Sequence, residues 1–206
     1  MNYTPVSLRS GGMDEKMNQG KTDYRVRLTK QIIRESLVPL MKMYPVSRIS
    51  IKMLCEKAGI NRSTFYAHYA DVYDLLYQIQ QECIRELSAH ISGSAFSEQN
   101  KLTVLAMEQI LSYAKKNAEL FEVLLGENGD FAFQREIMRL AQQKTINELQ
   151  RMKQLAPGVS EYLQYFVVNG ALSVIQKWLT GGALEPVPEM AELCSTLLYK
   201  GLSGFI

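Results

Sequence analysis

Between Ser50 and Asp71 the chain carries three helix-capping residues and one glycine at spacings that leave little freedom in how it folds. Ser50 stands before an apolar pattern of Ile51, Leu54, Cys55 and Ala58. A serine hydroxyl there accepts from an otherwise orphaned backbone N–H, so a short helix over 51–58 is predicted. Gly59 follows, the residue type best suited to the left-handed conformation that ends a helix. Asn61 then opens a third helix at about 62–68. Asp71, with Asp74 three positions on, opens a fourth at about 72–91 through Leu75, Leu76, Ile79, Cys83 and Leu87. Two helices this short and this close bury Ile51, Leu54, Cys55, Ile60 and Phe65 by folding across each other as a helix–turn–helix corner.

The rest of the chain is helical in pattern too. From 23 to 44, Leu28, Ile32, Ile33, Leu37, Leu40, Met41 and Tyr44 recur mostly at three- and four-residue steps, as one buried stripe. Pro39 lies inside that stretch, where a proline costs on the order of 3 kcal/mol, so a kink or early end is expected. Pro45 marks the stop. Beyond a loop at 92–100, helices are predicted at about 101–117, 119–126, 130–155 and 160–180. A last one, at 188–203, follows Gly181–Gly182, Pro186 and Pro188. No segment alternates with period two and none repeats. The fold class is all-α. Residues 1–21 are polar, contain Gly11, Gly12 and Gly20, and are expected to form a flexible tail. Residues 22–70 then make one domain around the corner and 71–206 a larger helical one, linked by the helix at 71–91.

Composition narrows what such a protein does. Of 206 residues, 47% are hydrophobic and 21% charged, the balance of an ordinary globular chain. No run of about 18 apolar residues occurs, so no membrane span is expected, and the N-terminus lacks the pattern of a secretion signal. Cys55, Cys83 and Cys194 lie far apart with no CxxC pair, which argues against a disulfide framework or cysteine zinc site and fits a reducing cytoplasm. His68 and His90 are too few for a histidine metal site, and HExxH, GxSxG and P-loop motifs are missing. Neither metal, cofactor nor catalysis is expected. The net charge of +2 conceals an asymmetry. Residues 1–70 hold 12 Lys+Arg against 5 Asp+Glu, a net +7; residues 71–206 hold 11 against 16, a net −5. A basic head on an acidic body suits a polyanionic partner.

The corner offers the groups that double-stranded DNA needs. Lys52, Arg62, Ser63, Thr64, Tyr66 and His68 are left for its exposed side, donors suited to phosphate oxygens and base edges, and a helix of this width fits the major groove. The helix starts at Ser50, Asn61 and Asp71 add backbone N–H groups that favour phosphate. No carboxylate occurs between Asn61 and Ala70. The run from Ala58 to Leu76, A-G-I-N-R-S-T-F-Y-A-H-Y-A-D-V-Y-D-L-L, resembles the N-terminal domain of the TetR family of bacterial transcriptional regulators, over about residues 23–76. The glycine turn, the Thr-Phe-Tyr step, the His-aromatic pair and the acid-Leu-Leu start of the next helix fall in register.

That resemblance implies a three-helix helix–turn–helix DNA-binding domain followed by a helical ligand-binding and dimerisation domain. It places Arg62, Ser63 and Ala67 at base-facing positions and Thr64, Tyr66 and His68 at phosphate-clamping ones, with Lys52 reaching in from the helix that Ser50 starts. Two departures stand out. Many members carry a lysine where this chain has Val72, which predicts weaker DNA affinity, and Pro39 interrupts a first helix that is usually unbroken.

Two C-terminal stripes point to self-association. Phe166, Val167, Gly170, Val174 and Trp178 on one helix, with Leu193, Leu197 and Leu198 on the next, keep the three-four repeat. Tyr162, Tyr165 and Val168 carry apolar character beyond it, so that helix needs more than one partner. A homodimer is predicted in which this pair meets its symmetry mate as a four-helix bundle, and TetR-like proteins dimerise through their last two long helices. Paired reading heads imply a palindromic operator. The resemblance also implies an effector of unknown identity, small molecule or protein, that releases the DNA; Tyr113, Phe121, Phe133, Tyr165 and Trp178 are the candidate lining. The D-V-Y-D-L-L and V-x-N-G-A-x-x-x-I-x-x-W-L runs look most like the branch related to regulators of the dihydroxyacetone kinase operon, in which a protein partner can replace a small effector. A repressor is the expected outcome. The alternative, motivated by Val72, is an adaptor or co-regulator of the same fold acting mainly through a protein partner.

Overall fold

The computed structural model describes residues 11–92, 100–126, 130–151 and 159–202, and within them the chain is helical with no strand. In order run α1 (Gly11–Met43), a 3₁₀ turn (Val46–Arg48), α2 (Ile51–Ala58), α3 (Arg62–Tyr66) and α4 (Val72–Ser92). Then follow α5 (Asn100–Lys116), α6 (Ala118–Leu125), α7 (Phe131–Arg151), α8 (Val159–Thr180) and α9 (Val187–Leu202). The helices expected from periodicity are met to within a few residues, although α3 closes at Tyr66 instead of 68.

The first helix departs most from expectation. It begins at Gly11, so residues 11–21 belong to a helix and not to a flexible tail; residues 1–10 lie outside the described ones. Once the packed turns around Ile33 and Leu37 have nucleated the helix, each further residue adds one backbone bond at little cost. Met13, Glu15, Lys16, Met17 and Gln19 are all good helix formers. The early end predicted at Pro39 does not occur either, and α1 continues to Met43. Pro39 withholds the N–H that would meet the carbonyl of Glu35, but Glu35 is exposed. Buried Leu37, Leu40 and Met41 hold the turns on both sides.

The caps form as the sequence demands. Ser50 Oγ accepts from the Met53 N–H at 3.2 Å, and Gly59 closes α2 at φ +65°. Asn61 Oδ1 accepts from Thr64 N–H at 2.7 Å, and Asp71 Oδ1 from Asp74 N–H at 2.8 Å. One continuous apolar core runs from Ile33, Leu37 and Met41 through Leu54, Phe65 and Leu75 to Leu111, Leu124 and Cys194, crossing the boundary expected near residue 70. It crosses because α1 packs on both α2 and α6. Lys42 Nζ of α1 reaches Glu122 of α6 at 3.1 Å, and Gln176 Nε2 of α8 donates to the Leu125 carbonyl at 2.9 Å. In the body α5 packs most extensively against α9.

Candidate nucleic-acid interface

The geometry of α3 follows from what it buries. Phe65 is sealed in the core and Tyr69, just past the helix, is buried beside it with ring centroids 5.7 Å apart. A one-turn helix anchored on that side must present the other to solvent. Arg62, Ser63, Tyr66 and Ala67 are exposed there, Tyr66 at 57%, and Thr64 and His68 are half-buried. All six predicted α3 residues thus occupy one capped corner.

Asn61 organises that corner. Besides the Thr64 N–H, its Oδ1 accepts from Ser63 Oγ at 2.7 Å and Thr64 Oγ1 at 2.8 Å. The two hydroxyl protons therefore point at the cap, and their oxygen lone pairs remain available. Tyr66 stands edge-on to Phe65 at 5.8 Å, which fixes its ring. On α2, exposed Lys52 lies 3.8 Å from Glu56, a solvent-screened pair that costs little to exchange for a phosphate. Ser50 is exposed, with its hydroxyl oxygen engaged in the α2 cap.

The start of α4 is different. Asp74 Oδ2 accepts the Ala70 N–H at 2.9 Å while Asp71 accepts the Asp74 N–H, so two carboxylates occupy this helix start. The Ala70 bond, followed by a bond from Gln78, holds the Asp74 carboxyl below the usual carboxylate range. Two of the N–H groups around Asp71, those of Ala70 and Asp74, are therefore engaged internally. Val72 is only 5% exposed and belongs to the core. Exposed Tyr73 and Tyr77 on the next turns were not singled out by the sequence pattern. Their only signal was a place off the Leu75–Ile79 stripe.

Of the five residues expected to line an effector site, Tyr113 and Phe121 meet, while Tyr165 stands apart in solvent. Tyr113 is half-buried, 5.9 Å from Phe121 and 5.6 Å from the His90 ring; burial and the neighbouring Cys83 push its phenol pKa up. Phe121 and Phe133 are buried. Trp178 is buried too, its Nε1 donating to the Glu185 carbonyl at 3.3 Å. Tyr165 is 63% exposed, while Leu163, about 200° away around α8, is buried. An open groove of about 1770 Å³ lies between α1, α4 and α5, bordered by Arg34, Glu82 and Leu120. Of the five, Tyr113 alone borders it.

The expected dimer residues divide similarly. Phe166, Gly170, Leu193 and Leu197 are exposed, Phe166 at 70%, and Val167 and Val174 are half-buried. Trp178, at 4%, has to be struck from that surface: its bulk fills the monomer core beneath the α8–α9 turn. The Leu198 side chain lies outside the described residues.

Among the described residues no helix is long and apolar enough to cross a membrane, and no cluster of His, Cys, Asp and Glu is arranged to hold a metal.

A helix–turn–helix corner on a helical body can be set beside known proteins. Residues 105–200 match the TetR-type model described as transcriptional regulator C-terminal region. The chain is similar in fold to the dihydroxyacetone kinase operon activator DhaS (TM-score 0.58, 16% identity, covering 86% of this chain and 97% of DhaS). It is also similar to the fatty acid degradation regulator FadR from Bacillus halodurans (TM-score 0.65, 12% identity, 85% and 96%). A third likeness is to SmeT in its complex with triclosan (TM-score 0.59, 14% identity, 87% and 92%). No protein in the curated set matches the sequence. The family model covers residues 105–200 of the body, and the solved structures share the fold over most of the chain.

Proposed function

We propose that the protein is a homodimeric repressor that reads a palindromic operator with α3 and is released from it by an effector. The observation that carries this reading is the opposition across α3. Phe65 is locked in the core, and Arg62, Ser63, Tyr66 and Ala67 face outward from a helix of fixed orientation. Arg62 and Ser63 then read base edges, while Tyr66, Thr64, His68 and Lys52 position the backbone. The exposed apolar side of α8 and α9 is the dimer surface that sets the spacing of the two heads. The effector acts on the body near Tyr113 and Phe121, whose rings sit where α5 meets α6, next to the Lys42–Glu122 link to α1. The protein works in the cytoplasm.

The test is DNA binding by fluorescence anisotropy on fragments selected from the host genome, titrated with salt. Operator binding is expected to weaken steeply as salt rises, because bound phosphates recover their counterions. Arg62→Ala should relax discrimination at one or two base pairs per half-site by about 1–3 kcal/mol. A uniform loss across sequences assigns Arg62 to the backbone instead. A reporter behind the selected operator fixes the direction of control, since repression requires expression to rise when the gene is deleted.

One observation favours the adaptor reading. Val72 is buried and Asp71 and Asp74 cap α4, so the head lacks a cationic clamp at that helix start. The absence of any sequence-specific complex at moderate salt would decide for it.

A further inference from the structure

Ser63 is exposed on α3 with the direction of its hydroxyl proton already decided. The Thr64 N–H lies 2.7 Å from Asn61 Oδ1, and a backbone N–H needs an acceptor, so the side-chain amide is held oxygen inward. Ser63 Oγ lies 2.7 Å and Thr64 Oγ1 2.8 Å from that same oxygen. A carbonyl oxygen has no proton to give, so both hydroxyls donate to it. Each has one proton. What Ser63 turns outward is therefore lone pairs alone, and reversing it would break a formed hydrogen bond.

That polarity narrows what Ser63 can meet on a duplex. The phosphate and sugar oxygens of DNA only accept, so the backbone offers it no partner. The donors in the major groove are the exocyclic amino groups, N6 of adenine and N4 of cytosine. Guanine O6 and thymine O4 accept, and set opposite Ser63 they would face a second acceptor. The sense is kept because α3 is kept: Phe65 is sealed in the core, with the Tyr69 ring 5.7 Å from its own. Exposed Arg62, one residue earlier, carries donors only. Adjacent residues of one short helix thus present opposite hydrogen-bonding senses.

We propose that Ser63 is a specificity-determining residue, selecting an amino base (adenine or cytosine) over a keto base (guanine or thymine) on the strand it faces. This rests on the DNA-binding reading above and adds to it the chemical kind of base that each half-site carries at one position. Arg62 takes the complementary preference, for the O6 and N7 acceptors of guanine. Thr64, wired like Ser63, keeps its proton on Asn61, which leaves donation to phosphate with Tyr66, His68 and Lys52.

The experiment measures binding of the full chain and of its Ser63→Ala variant to the selected operator, with every base pair of one half-site exchanged in turn. Ser63→Ala leaves both Thr64 bonds on Asn61, so the variant keeps its circular dichroism and melting temperature. One position should lose its discrimination in the variant. There the parent should favour adenine or cytosine over guanine or thymine on one strand by about tenfold. Ser63→Thr, which restores a hydroxyl, should retain that preference. Replacing the favoured base with its analogue lacking the exocyclic amino group should weaken the parent about tenfold more than it weakens Ser63→Ala. A keto base preferred at that position, or a discrimination profile that Ser63→Ala leaves unaltered, overturns the role of Ser63 while operator binding stands. A parent that binds no duplex sequence-specifically overturns the DNA-binding reading and the role with it.

Discussion

Lys115 Nζ donates to the carbonyl oxygen of Ala183 at 2.7 Å and lies 5.5 Å from the centroid of the Trp178 ring, so one side chain of α5 holds the turn between α8 and α9. The turn needs holding. Ala183 is buried at φ +48°, a left-handed conformation that costs a residue with a Cβ about 1–2 kcal/mol. Replacing Lys115 with Met keeps the stem but leaves that carbonyl without its charged donor. Unfolding free energy from urea titration should drop by about 1–3 kcal/mol, and limited proteolysis between Gly181 and Pro186 should quicken. A change within about 0.5 kcal/mol, the range of ordinary surface substitutions, would show that the turn is held by its own packing.

Asn61 touches three donors with one oxygen, so Asn61→Ala removes the cap of a helix that is a single turn long. Stability should fall by about 1 kcal/mol, as for other caps removed by substitution. The larger effect should be on DNA. With α3 no longer fixed, affinity for operator and non-operator duplexes should fall together, and amide exchange at Thr64 should accelerate. Undiminished affinity would mean that Phe65 packing alone orients α3.

The helical corner was legible because its instructions are local. Ser50, Gly59, Asn61 and Asp71 each act within four residues, through caps and one left-handed turn. The α1 start was not legible, since a helix extended from a packed nucleus needs no apolar stripe of its own. The expected effector lining is divided for a related reason. Periodicity shows that Tyr165 and Trp178 lie on α8, but not which side of α8 meets the core. The two residues end on opposite sides, Tyr165 in solvent and Trp178 under Lys115. Val72 stands out in the sequence by its missing charge, while the fold uses it as a core residue. Only the three-dimensional packing of α4 reveals that use.

The junction between α3 and α4 should respond to acid. Asp74 is held below its ordinary value of 3.8, chiefly by the Ala70 N–H and then by Gln78. A carboxyl depressed in the folded state contributes stability above its unfolded pKa, and that contribution is lost as pH falls through the folded value. Asp74→Asn should thus be less stable than the parent near neutral pH, and the difference should shrink as pH is lowered below 3.8. Thermal melts from about pH 7 to about pH 3 test the sign. A gap that widens in acid refutes the assignment.

On the outer side of the body, Tyr162, Tyr165 and Phe166 of α8 lie exposed with Leu193 and Leu197 of α9. Such a cluster of large apolar side chains is the mark of an association surface. Gly170 sits in the same row, and a Cβ built there meets nothing within 4 Å in its own chain. The monomer therefore offers no packing reason for a residue that costs a helix about 1 kcal/mol relative to alanine. Close approach by a second copy supplies one. Sedimentation equilibrium should find a dimer at micromolar concentration, and Phe166→Glu, at a position 70% exposed in the monomer, should yield a folded monomer. Because linked heads bind a palindrome with the second engagement intramolecular, operator affinity should then fall by about 10²–10⁴-fold. Binding to an isolated half-site should stay near the parent value. A variant that remains dimeric would place the interface elsewhere on the body.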